Sequence, residues 1–245
     1  MKRVLILATM LLAASLFCIQ SVSAQTTKSL GLALVLDGSG SIGDSEWNTM
    51  ISGYQNAIQD PNVLPQNGKV NLSAVQFSSS SDIEISMTPI TSQSDADAFA
   101  TDLGNINQAG GSTNISAGIE DGYNSLVNFD LSKDLDRWVI DVATDGQHNA
   151  GTPLPSTKAQ EVVNDTPSVD AVNALGIGTG TAPGFNYGDN SFSMLTNNFQ
   201  AFETAIKDKI GREVNPVPEP TTWLLLATGL IGIAGIGRKK FAQKG

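Results

Sequence analysis

Cysteine is almost absent from this chain of 245 residues: Cys18 is the only one. It lies in an N-terminal segment that reads as a removable signal, so the mature protein has neither disulfides nor thiol chemistry to draw on. Histidine is as scarce. His148 stands alone, with no Cys or Ser partner, and reads as a surface residue rather than a general base. Aromatic residues make up 6% of the chain, and 14 basic residues face 24 acidic ones, a net charge of −10. That balance excludes nucleic acid as a natural partner. The Gly176–Gly180 run lacks the GxxxxGK[ST] lysine of a phosphate loop and opens no helix. Ser39 and Ser41 have no nearby base, which argues against nucleophilic catalysis. Asp82, Asp95, Asp97 and Asp102 read as solvated charges. What is plentiful is Gly, with 24 residues, together with Ser, Asn, Thr and Asp, over a 40% hydrophobic content that allows a real core. This is the composition of an extracellular bacterial protein rather than a cytosolic enzyme.

Both ends carry processing signals. Lys2 and Arg3 precede the apolar run Val4–Ile19 and the small-residue stretch Ser21-Val22-Ser23-Ala24. That is the layout of a secretory signal peptide over residues 1–24. Phe17 stands where a lipoprotein signal needs a small residue, so no lipid anchor is expected. Near the other end, Val217-Pro218-Glu219-Pro220 leads into the apolar stretch Trp223–Gly237, closed by Arg238, Lys239 and Lys240. The stretch reads as a marginal transmembrane helix, slightly shorter than the ~20 residues usually required. Its basic end would stay cytoplasmic and the upstream domain outside. This tail, residues 216–245, resembles the PEP-CTERM sorting signal. The resemblance implies an exosortase-type processing enzyme as partner, and a Gram-negative bacterium that makes exopolysaccharide. It also implies a route to the cell surface or matrix in which the protein meets the membrane only through the tail, before cleavage. Removing both ends takes away six basic residues and Glu219, leaving 8 basic against 23 acidic residues, a net charge of −15.

The mature domain, residues 25–215, alternates strands and helices. Leu30–Leu36 is a near-continuous apolar run, as expected of a strand buried on both faces. Helices are predicted over 46–59, 94–103, 115–126, 155–164 and 199–210, and strands over 70–77, 83–87, 138–143, 169–177 and 192–195. Ser78–Ser81 is short enough to join 70–77 and 83–87 as an antiparallel hairpin. The alternation predicts one α/β domain with a doubly wound, Rossmann-like, mostly parallel sheet, one antiparallel edge strand, and helices on both faces.

Three loops can meet at the carboxyl edge of such a sheet, where these folds bind ligands. The first, LVLDGSGSIG over 34–43, supplies Asp37, Ser39 and Ser41; Gly38 and Gly40 let its backbone wrap closely. Every side-chain ligand on offer is oxygen, which suits a hard cation. The second, GGSTNISAGI, supplies Thr113; the third, VIDVATDG, supplies Asp145. All three resemble, in the same chain order, the metal-ion-dependent adhesion site of von Willebrand factor type A domains. GYQNAIQDPNV and FQAFETAIKDKIGREV are similar to a bacterial branch of that family; the short region between Gly178 and Phe199 departs from its pattern and leaves the last strand open. The resemblance implies that Ser39 and Ser41, and in one state Thr113, bind the metal directly while Asp37 and Asp145 act largely through water. An outside carboxylate can then take the open position. Mg²⁺ fits octahedral oxygen ligation with retained waters, Mn²⁺ can replace it, and Ca²⁺ is less apt for so small a cage. The expectation is a secreted, non-enzymatic binding module that engages a protein or matrix ligand. The alternatives are a structural exopolysaccharide-matrix protein with a purely structural metal and, third, a nucleotide-binding or hydrolytic enzyme on the same fold.

Overall fold

The computed structural model describes residues 29–129 and 134–215. The expected signal peptide and the C-terminal tail with its expected transmembrane helix lie outside the described residues. Among the described residues no helix is long and apolar enough to cross a membrane.

Strand β1 (Leu30–Asp37) lies at the centre of the sheet, buried at every position. Its even-numbered residues Leu32, Leu34 and Leu36 join one core and its odd-numbered Ala33 and Val35 join the other, because side chains alternate across a strand. Helix α1 (Asp44–Gln59) follows, then β2 (Val70–Phe77), β3 (Ser81–Ile90), α2 (Gln93–Gly104), α3 (Ile115–Val127), β4 (Arg137–Thr144) and α4 (Pro155–Asn164). Strand β5 (Ala171–Ile177), the two-residue β6 (Tyr187–Gly188) and β7 (Ser193–Thr196) come next, and a 3₁₀ turn (Phe199–Ala201) leads into α5 (Phe202–Val214). The sheet order is β3-β2-β1-β4-β5-β6, with β7 also pairing β5. β1 runs parallel to β2 and β4, and β5 parallel to β4 and β7. β3 is the antiparallel edge strand expected from the hairpin. A second antiparallel strand, β6, was not foreseen; it occupies what reads as a Gly-rich loop. The last strand runs through Thr196 and pairs parallel to β5, which settles the region where the family pattern is departed from. β2 is buried at all eight positions, its polar residues included. Ser73 and Gln76 are buried with hydrogen-bond partners, Ser73 with Ser125 at 2.8 Å.

Helices α1, α2 and α5 cover one face, packing Trp47, Met50, Tyr54, Phe99, Phe202 and Ile206 on the sheet. Helices α3 and α4 cover the other with Ile115, Ile119, Leu126, Ala159 and Val162. α3 approaches closely because two of its glycines face the strands. A Cβ on Gly118 would lie 2.7 Å from Phe77 and 2.8 Å from Val35, and one on Gly122 3.0 Å from Val35. That packing fixes the helix start, and with it Thr113.

Candidate metal centre

β1 and β4 are neighbours in space, but β1 leads into a helix on one face and β4 into a helix on the other. The strand order therefore switches between them, and a crevice opens beyond their carboxyl ends. Asp37 ends β1 and Thr144 ends β4, so the first and third loops leave from the two sides of that crevice. The second loop, which runs from α2 to α3, closes over it. Gly110 N–H donates to Gly38 O at 2.8 Å, and Gly40 N–H donates to Gly111 O at 2.9 Å.

Two kinds of glycine allow this approach. Gly38 and Gly40 have no unusual φ; they are small because of what they touch. A Cβ at Gly38 would overlap the Gln76 amide, and one at Gly40 would sit 3.3 Å from the Gly111 backbone. Gly110 and Gly111 have φ of +70° and +90°, where side chains are strained.

The five expected site residues converge. Asp37 is buried, and its Oδ1 accepts from the Ser39 N–H at 2.9 Å. Ser39 and Ser41 share a hydroxyl contact at 3.1 Å, and Ser41 Oγ donates to Asp145 Oδ1 at 2.8 Å. Thr113 is brought in from the second loop: a point at a Cβ of Gly146 lies 3.6 Å from Thr113 Oγ1 and 3.7 Å from Ser41 Oγ. Ser39 and Thr113 are buried, Asp145 is half-buried, and Ser41 is exposed, so the group opens to solvent on the Ser41 side.

Residues outside the expected set hold it in place. Thr144 Oγ1 donates to Asp37 Oδ2 at 2.5 Å, and Gly146 N–H donates to the same hydroxyl at 3.2 Å. Asn149 Oδ1 accepts from the Thr113 N–H at 2.8 Å, while Asn149 N–H donates to Thr113 O at 3.0 Å. Gln108 Nε2 donates to Ser39 O and Ile42 O, at 3.0 and 2.8 Å. Gln76 Oε1 accepts from the Ala109 N–H at 2.7 Å. Thr144 could have been picked out as the hydroxyl next to the third-loop Asp. Gln76 and Gln108 carry no local signal, because the loop groups they hold at the site lie more than 30 residues away. His148 does not enter the group; its Nε2 contacts Gly151 O at 3.2 Å.

Burial raises the Asp37 carboxyl above its ordinary value; hydrogen bonds from Ser39 and Thr144 oppose the rise, and the charge of Asp145 adds to it. Asp145 is raised as well, first by burial and then by the charge of Glu46, against the hydrogen bond from Ser41. Two carboxylates that are costly to ionise, facing each other across an opening, are what a cation would relieve. Among the described residues no cluster of three or more His, Cys, Asp or Glu is suited to a metal. The donors here are instead two carboxylates and three hydroxyls, all oxygen, and they fit a hard divalent ion rather than a thiophilic one.

A doubly wound sheet with these three loops at its switch point defines a von Willebrand factor type A-like domain. Solved structures bear out that fold. Proximal thread matrix protein 1 from the mussel byssus, with a zinc-occupied MIDAS motif, superposes with a TM-score of 0.59 at 16% identity over 77% of this chain and 46% of that one. The pilus adhesin SpaC of Lactobacillus rhamnosus GG, in an open conformation, gives 0.59 at 15% identity over 78% and 30%. A von Willebrand factor type A protein from Catenulispora acidiphila gives 0.54 at 11% identity over 77% and 43%. The chain spans less than half the length of each of these. The chain belongs to the family described as protein of unknown function DUF1194, whose model matches residues 27–218. Residues 216–239 match the PEP-CTERM protein-sorting motif. A search of curated proteins finds no match.

Proposed function

We propose that the protein is a secreted, surface-sorted binding module that uses a divalent metal in the three-loop site to engage a protein or matrix ligand through a carboxylate. The observation that carries this reading is the convergence of Asp37, Ser39, Ser41, Thr113 and Asp145 on one solvent-open point. The hydroxyls carry no formal charge, so an ion held mainly by them stays electrophilic and keeps a position for an outside anion. Mg²⁺ is the proposed ion, with Mn²⁺ as a substitute. Beside the site, a cleft of about 410 Å³ shares Asp145 and Gly146 with it and is walled by Ile115, Pro155, Pro183 and Phe185. A ligand anchored on the metal has room there for a neighbouring group. The sorting motif supports export to the surface of a Gram-negative cell and trimming by an exosortase, with the membrane touched only through the tail. The layout supports binding rather than catalysis: the Ser41 hydroxyl is held by the Asp145 carboxylate, itself one of the proposed metal-site groups, and His148 is turned to a backbone carbonyl away from both serines.

A second reading has one observation in its favour. The mussel protein of similar fold is a thread matrix protein with metal in its motif. On that reading the ion only stiffens the loops of a structural exopolysaccharide-matrix protein. A pull-down from native cell-surface material separates the two. Capture of a partner in Mg²⁺ that is lost in EDTA supports the binding module. A metal-dependent rise in Tm with no partner captured in either buffer supports the structural role and refutes the first.

A further inference from the structure

Away from the metal centre, the sheet face under α5 holds a group of polar side chains that no binding role uses. Lys209 on α5, Asp141 in the middle of β4, and Glu213 one turn after Lys209 are all 0% exposed. Lys209 Nζ is paired directly with Asp141 Oδ1 and lies 2.7 Å from Glu213 Oε1. Asn173 on β5 donates from Nδ2 to that same Glu213 oxygen at 2.9 Å, and its Oδ1 accepts from the Phe192 N–H at 3.0 Å. The Phe192 ring faces Lys209 at 5.8 Å. Tyr54 on α1 completes the enclosure, and Arg137 at the start of β4 donates to Glu213 O at 2.5 Å. Asp141 Oδ2, Glu213 Oε2 and the Tyr54 hydroxyl have no hydrogen-bond partner.

As an ion-pair network this is poorly built. Two carboxylates share one ammonium, and half of the carboxylate oxygens are unsatisfied in a dry core. Burying such charges costs more than one pairing returns. The same three residue types, in contact and shielded from water, are the reactants for a condensation that removes two of the charges.

We propose that Lys209 and Asp141 are joined by an intramolecular amide bond, formed autocatalytically with Glu213 as the proton shuttle. Lys209 first passes a proton to Asp141, giving a neutral amine and a neutral carboxylic acid. The amine lone pair attacks Asp141 Cγ and forms the N–C bond. Glu213 takes a proton from the attacking nitrogen and returns it to the departing hydroxyl. The Cγ–O bond breaks, one water leaves, and Glu213 ends as it began. No oxidant, reductant or cofactor is needed. Dry surroundings favour the amide over its hydrolysis, and fixed contact supplies the effective concentration. Glu213 suits the shuttle: burial first, and then the charge of Asp141, push its carboxyl up to about 7, so near neutral pH it can both accept and release a proton. The bond would close a loop of 68 residues and fasten the C-terminal helix to the central sheet, in a mature chain with no cysteine to do so.

The test is mass spectrometry of the purified full-length chain after denaturation and trypsin digestion. In the linked protein, the peptide Trp138–Lys158 stays joined to the peptide carrying Lys209, lighter by about 18 Da, one water, and the Lys209–Ile210 bond resists cleavage. Lys209→Arg and the isosteric Glu213→Gln each release Trp138–Lys158 as a free peptide, and circular dichroism of Glu213→Gln shows the native fold. Free Trp138–Lys158 and full cleavage after Lys209 in the wild type would overturn the bond. A loss of about 17 Da, one ammonia, with Asn173 as the attachment point would overturn the assignment to Asp141. A link formed at the wild-type level in Glu213→Gln would overturn the role of Glu213.

Discussion

Replacing Asp37 by Asn separates the metal site from the fold on which it stands. The exchange is nearly isosteric, and its hydrogen bonds can be rebuilt. The amide oxygen can keep the Ser39 N–H now held at 2.9 Å. The amide N–H₂ then faces Thr144 Oγ1, which can turn and donate to Gly146 O, already 3.2 Å away. What disappears is a carboxylate that burial and Asp145 both make costly to ionise. In EDTA at neutral pH, Asp37→Asn therefore melts at or above the wild-type temperature. In Mg²⁺ the order reverses. An ion present at 100 times its Kd stabilises the wild type by about 2.7 kcal/mol, and a 10- to 100-fold loss of affinity from removing a supporting carboxylate cuts this to about 1.4 or 0.4 kcal/mol. For a domain of this size the metal-induced rise in Tm falls from about 5–10 °C to about 1–6 °C. Differential scanning calorimetry of both chains, with EDTA and with Mg²⁺ at a fixed multiple of the wild-type Kd, reads the two effects independently. An equal metal-induced rise in both chains would refute the reasoning about Asp37. A variant that melts well below wild type in EDTA would refute the claim that its charge is a liability without metal.

Three further outcomes are expected. Asp37 and Asp145 both have folded pKa values raised above their ordinary 3.8, so without metal their contribution is present in acid and is lost as pH rises through the folded values. A bound cation reverses this, so the Tm gap between Mg²⁺ and EDTA should widen from pH 4 to pH 8; a gap independent of pH would contradict it. Gly118→Ala places a methyl group within 3 Å of Phe77 and Val35, both inside the sheet core, and should cost about 1–3 kcal/mol in urea denaturation; a neutral result would mean that α3 can move off the sheet freely. The mature protein should end near Pro220, and intact-mass measurement on native surface material that finds Phe241–Gly245 retained would refute processing of the tail.

Much of this architecture can be read from local pattern. β1 declares itself as an apolar run ending in Asp, and α4 begins and ends where Pro155 and Asn164 place it. The DGSGS, GGSTN and ATDG loops give all five converging side chains, because each loop contributes residues that lie close together in sequence. β6 was missed because a two-residue strand has no periodicity to detect. Gln76 and Gln108 were missed because their work is done across the fold, on loops remote in sequence. The buried Lys209–Asp141–Glu213 group was invisible for a related reason. Lys209 and Glu213 sit one turn apart, as in any solvated helical ion pair, and only packing α5 onto β4 reveals them as core residues.

The central claim, a single divalent-cation site built from three loops, is tested most directly by isothermal titration of Mg²⁺ and Mn²⁺ into the mature domain, residues 25–215, and into its Asp37→Ala variant. The account predicts one ion per chain in the wild type, competition between the two metals for one site, and affinity lower by about 10- to 100-fold in the variant, whose circular dichroism stays native. Equal binding of either ion by the two proteins would contradict it and leave the three loops as no more than a tightly hydrogen-bonded turn cluster at the sheet edge.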